Sequence, residues 1–85
     1  VMIVNYYLQG TSNSTTTTFT LPQNATQNSS CIFKAGNNGT FATTPGWAEV
    51  INTTNTMLLY LNQNSASWTA SGTKTAYGQI IVKIN

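Results

Sequence analysis

Short apolar or β-branched runs, each cut off within ten residues by a turn signal, constrain this chain more than any other feature. In residues 79–84 the pattern is clearest: Ile80, Val82 and Ile84 fall on one face of an extended segment, and Gln79, Ile81 and Lys83 on the other. That is the period of two that a half-buried strand requires. No stretch shows a convincing 3.6-residue period. Strand-like runs occupy residues 1–8, 15–21, 30–36, 40–43, 47–51, 57–61, 66–70 and 74–84. Gly, Pro and Asn clusters separate them at the spacing of an all-β domain. The expected architecture is an antiparallel, Ig-like or Greek-key β-sandwich of about seven or eight short strands.

Two junctions are specific. Asn37-Asn38-Gly39 lies between two strand-like runs, and Asn-Gly is favoured in a type I′ hairpin turn because both central residues take φ > 0. Ser71-Gly72-Thr73 reads as a second hairpin turn. Pro22 to Ser29 is a polar loop, and Asn52 to Thr56 a turn cluster.

Residues 1–8 are apolar on both faces of an extended segment, the pattern of a strand covered above and below. A polar stretch with Gly10, residues 9–14, follows and reads as a loop or hinge. The domain reading is therefore a candidate donor strand over residues 1–9 and a single β-sandwich domain over residues 10–85. The donor would consist of Val1, Met2, Ile3, Val4, Tyr6, Tyr7 and Leu8, with Met2, Val4, Tyr6 and Leu8 filling a groove in a neighbouring subunit. The alternative is that the segment folds back into its own sheet. No run approaches the roughly 20 apolar residues that span a bilayer as a helix. The first residues lack a basic, signal-like start, so the expectation is a mature chain.

The side-chain inventory excludes most chemistry. Eighty-five residues hold one acid (Glu49), three lysines (Lys34, Lys74, Lys83), one cysteine, and neither histidine nor arginine. General acid–base catalysis needs a positioned proton carrier, and paired-carboxylate hydrolysis needs a second acid. One thiol and one carboxylate make no zinc site. A Ser-Lys dyad is the one remaining nucleophilic option, so the chain reads as a non-enzyme with no metal and no cofactor. Scattered lysines without arginine make nucleic acid an improbable partner. With Glu49 alone to protonate, acidification moves the side-chain charge only from +2 to about +3, and acid tolerance is expected. Cys31 reads as a small buried hydrophobe, with an intermolecular disulfide as the alternative.

Neutral polar residues take over the surface: Thr, Asn, Ser and Gln make up 39 of 85. Among them are Asn-x-Ser/Thr sequons at Asn13, Asn24, Asn28, Asn38 and Asn52, all in expected loops or turns and therefore N-glycosylation candidates. The hydroxyl-rich residues 11–18 fit a flexible stalk or an O-glycan site equally well. Trp47, Trp68 and Tyr77 could form a flat platform for sugar rings, against the commoner role of core packing.

Soluble sheets guard their edges with charge or proline, and this chain has little of either. An unguarded sheet next to a two-sided apolar strand points to copies of itself as the partner. In composition the chain is similar to the glycosylated surface filaments of archaea, both thread-like fibres and the outer β domains of archaeal pilins, and strand donation resembles chaperone-usher pili. The likeness carries no motif and no residue. It implies an extracellular, cell-surface homopolymer, with a carbohydrate-binding or adhesive module and a virion surface protein as the competing readings.

Overall fold

The computed structural model describes residues 1–84, so residue 85, the last of the expected domain, lies outside the described residues. Among them are seven strands and no helix: β1 (Met2–Thr11), β2 (Thr17–Thr20), β3 (Ser29–Asn37), β4 (Thr40–Phe41), β5 (Gly46–Val50), β6 (Thr56–Tyr60) and β7 (Thr73–Val82). All pairings are antiparallel, in the order β1-β7-β3-β5-β6-β2, with β4 as a short hairpin partner of β3. The all-β expectation holds, and the path is one curled sheet consistent with a small sandwich or barrel. Strand β3 makes the curl. Its first half pairs with β5 (Ser29 to Phe33), and its second half pairs with β7 (Lys34 to Gly36).

Alternation drives the packing. On β5, Gly46, Ala48 and Val50 are buried while Trp47 and Glu49 are half-buried; on β6, Met57 and Leu59 are buried. These residues meet Phe33, Ile80 and Val82 in one core. Gly46 is required there, because a Cβ at that position would overlap the Phe33 ring. The Asn38-Gly39 turn adopts φ of 52° and 82°, as the sequence predicts for a type I′ hairpin. One end of the sheet is closed by residues 21–28. There Leu21 and Ala25 are buried, and backbone bonds run from Leu21 N to Asn55 O (2.6 Å), Ala25 N to Thr54 O (2.8 Å) and Thr26 N to Lys83 O (2.8 Å).

Three expectations need correction. Residues 66–70 are not a strand: Trp68 enters the core from an irregular segment, and its backbone N–H goes to Thr15 O instead of into a ladder. Ser71-Gly72-Thr73 consequently leads into β7 rather than joining two strands. Gly10 is not a hinge, since the first strand continues through Gly10 and Thr11 opposite Lys74 and Thr73. The irregular link is residues 12–16. The boundary expected between residues 9 and 10 therefore falls inside β1, which runs on to Thr11.

Candidate functional site

The first strand pairs with β7 of its own chain at ten consecutive positions, from Met2 opposite Val82 to Thr11 opposite Thr73. Its alternation is regular. Met2, Val4, Tyr6 and Leu8 turn inward and are half-buried against the core, the same four side chains expected to fill a groove. Val1, Ile3 and Tyr7 are exposed, so this strand is covered on one face only, and the expectation of cover on both faces is corrected.

As the two ends of the strand order, β1 and β2 each have one hydrogen-bonded neighbour and one free edge among the described residues. Neither carries a charge or a proline. The two edges approach each other where the Tyr6 and Phe19 rings meet at 5.9 Å, and then separate around a cleft of about 380 Å³. Residues of β1, β2 and the start of β7 line it, with Trp68 at its base. The seam is unguarded in the sense that matters for strand addition.

The link between these edges is anchored near both ends, at Ser12 by Lys74 and at Thr15, whose carbonyl oxygen accepts from the Trp68 backbone N–H over 3.1 Å. Lys74 is 7% exposed, and its ammonium donates to three carbonyl oxygens: Ser71 (2.8 Å), Ser12 (3.2 Å) and Gly72 (3.4 Å). Between these anchors the chain makes local turns, Ser14 N donating to Ser12 Oγ and Thr16 N to Ser14 Oγ, both over 3.1 Å. Inside the seam, the Tyr6 hydroxyl is buried without a hydrogen-bond partner among the described residues. Burial, with a smaller contribution from Cys31, pushes its pKa up to about 12.

All five sequon asparagines, Asn13, Asn24, Asn28, Asn38 and Asn52, are exposed and outside strands. Asn28 and Asn52 are neighbours, the Asn52 N–H donating to Asn28 Oδ1 over 2.7 Å. Cys31 is free and half-buried at the rim of the core.

The expected platform of Trp47, Trp68 and Tyr77 does not assemble. Trp68 is buried, its indole N–H donating to Leu59 O, and no ligand could stack on it. Trp47 is half-buried on the outer face of β5, two strands away from β7 and Tyr77. Tyr60, across from Trp47, has its pKa raised by partial burial and by the nearby Glu49 carboxylate. Tyr77 is exposed and has partners that sequence reasoning missed. Tyr7 stacks on it with ring centroids 5.4 Å apart, and Phe41 meets it edge-on at 6.4 Å. The signal was the shared parity of Tyr7 and Tyr77 on their strands, which is usable only once the β1–β7 register is known. Compared with family models, curated proteins and solved structures, the chain finds no match.

Proposed function

We propose that the chain is a structural subunit of an extracellular filament or surface appendage, and that copies join by handing β1 to the next subunit. The carrying observation is the ten-pair ladder between β1 and β7 at the end of the strand order. Every hydrogen bond and inward contact that β1 makes with β7 within one chain is available in identical form from a second chain. Exchange of the strand therefore costs association entropy and little contact energy, the condition under which swapping an identical element links protomers. Head-to-tail repetition gives an open fibre rather than a closed dimer when the rotation does not close. Residues 12–16 supply the hinge. Exposed sequons at loops would keep glycans off the paired strands, in line with an outer-surface location.

The test is a staple. Asn5 and Gln79 face each other, with Gln79 Nε2 donating to Asn5 Oδ1 over 2.9 Å, so cysteines at both positions, with Cys31→Ser, would tie β1 to its own β7. The oxidised variant should remain monomeric by light scattering and electron microscopy, and reduction should release fibre growth. Equal fibre growth in the oxidised state would rule out strand exchange.

A further inference from the structure

On the outer face of β1, β7, β3 and β4, Tyr7 is 63%, Phe41 51% and Tyr77 37% exposed. Three adjoining aromatic rings left open to water need a reason, because isolated exposed apolar residues are common but clustered ones mark binding surfaces. The rings are also held in place. Tyr7 and Tyr77 are directly opposite in register and stacked at an interplanar angle of 23°, and Phe41 stands at 88° to Tyr77. A Cβ at Gly36 would press on Thr75 Cβ at 3.2 Å, with the Phe41 ring at ordinary contact distance beside it.

This ledge separates two hollows. One, of about 530 Å³, lies between Tyr77, Ile32 and residues 42–45; the other, of about 140 Å³, has Gly36 in its lining with Gln9, Thr40 and Thr73 around it. Flat apolar ring faces bordered by hydroxyl and amide groups match a pyranose, which is apolar on its axial C–H faces and polar around its rim.

Charge decides the kind of sugar. Lys34 lies opposite Tyr77 in the β3–β7 register, with its Nζ 4.9 Å from the centroid of the Phe41 ring. Glu49, the only side-chain carboxylate of the chain, sits opposite Ser30, four residues along β3, roughly 13 Å of strand away. Among the described residues the ledge therefore presents a cation with no acid beside it, complementary to an anionic ligand.

We infer that the Tyr7–Tyr77–Phe41 ledge with Lys34 is a binding site for an acidic polysaccharide, a pyranose chain bearing carboxylates. One sugar ring packs on the face of Tyr7 turned away from Tyr77, a carboxylate reaches Lys34, and the chain continues into the hollows on either side. The site is independent of strand exchange, because Tyr7 and Tyr77 are opposed whether β1 comes from the same copy or the next.

The experiment measures binding of the full chain to polygalacturonate by titration calorimetry, with dextran and polyglutamate as the neutral sugar and the sugar-free polyanion. Polygalacturonate should bind, and both controls should bind at least about tenfold more weakly, the scale of one stacked ring or one charge contact. Tyr7→Ala should weaken binding about tenfold. Lys34→Gln should weaken it and flatten its salt dependence. Thermal melts confirm that each variant folds, and sedimentation records its oligomeric state. Equal binding of polyglutamate, binding unchanged in Tyr7→Ala, or a Tyr7→Ala effect confined to self-association would each overturn the assignment.

Discussion

The indole Nε1 of Trp68 donates to the carbonyl oxygen of Leu59 over 2.9 Å inside the core. A residue from an irregular segment is thereby tied to β6, while its backbone N–H reaches Thr15 O (3.1 Å) and its ring stacks on Phe33 at 6.3 Å. Trp68 is the plug of the seam between β1 and β2. Trp68→Phe keeps an aromatic filling but removes the donor, and should lower stability by about 1–3 kcal/mol. Trp68→Ala also opens a cavity and should cost about 3–5 kcal/mol, a large part of what a domain of this size holds. Urea midpoints of the two variants check the ordering; equal losses would mean that the aromatic filling contributes nothing beyond the hydrogen bond.

The unpartnered Tyr6 hydroxyl predicts the opposite sign. Tyr6→Phe deletes a buried polar group that has no partner and should raise stability by about 1 kcal/mol. It should also change the alkaline limb. With a folded pKa near 12 against an ordinary value of 10.0, the folded state holds this proton after the unfolded chain has lost it. The Tyr6 contribution is thus complete below pH 10 and falls away as pH rises toward 12. Melting temperatures of wild type and Tyr6→Phe should diverge in that window, with the variant falling less. Parallel curves would place the hydroxyl in contact with water.

How far the sequence reads through to the fold depends on the range of the signal. The Asn38-Gly39 turn and the alternation of β7 are local and are legible residue by residue. Trp68 misleads because its neighbours Ala66 and Ala70 mimic alternation, while its hydrogen-bond partner lies on a different element. Gly46 reads as punctuation after Pro45, yet its role is to accept the Phe33 ring across the β3–β5 ladder. The aromatic ledge is hidden for the same reason, since Tyr7 and Tyr77 are seventy residues apart and meet only through the register of β1 on β7. Composition is legible without any fold: one acid and no histidine among 85 residues are what direct the expectation toward surfaces and edges.

That same scarcity of acids sets the response to low pH. Acid unfolding acts mainly by protonating carboxylates that the folded state stabilises, and here Glu49 is the only side-chain candidate apart from the chain termini. Between pH 7 and pH 2 the melting temperature should shift by no more than a few degrees, because the chain has no second side-chain carboxylate to protonate. Calorimetry across that range measures it, and a loss of cooperative unfolding above pH 3 would show that some other group holds the fold.

Lys74 links stability to the proposed assembly. Its ammonium has no carboxylate among its hydrogen-bond acceptors, which are the carbonyl oxygens of Ser71, Ser12 and Gly72, so it fastens the end of β1 to the start of β7 just before the link of residues 12–16. Lys74→Met preserves the apolar stem and strips all three carbonyls of their donor. Stability should fall by about 1–3 kcal/mol, and the loss should not depend on salt, because the partners are neutral dipoles. The decisive readout is local. Hydrogen exchange should accelerate at Gly10, Thr11 and Ser12 more than in β5 or β6, as expected when one unit of the sheet opens before the rest. If β1 is the strand that passes between subunits, freeing its anchored end should also shorten the lag before fibres appear. A variant that loses stability evenly over all strands, with an unchanged lag, would make Lys74 an ordinary buried contact and would remove the hinge from the assembly mechanism.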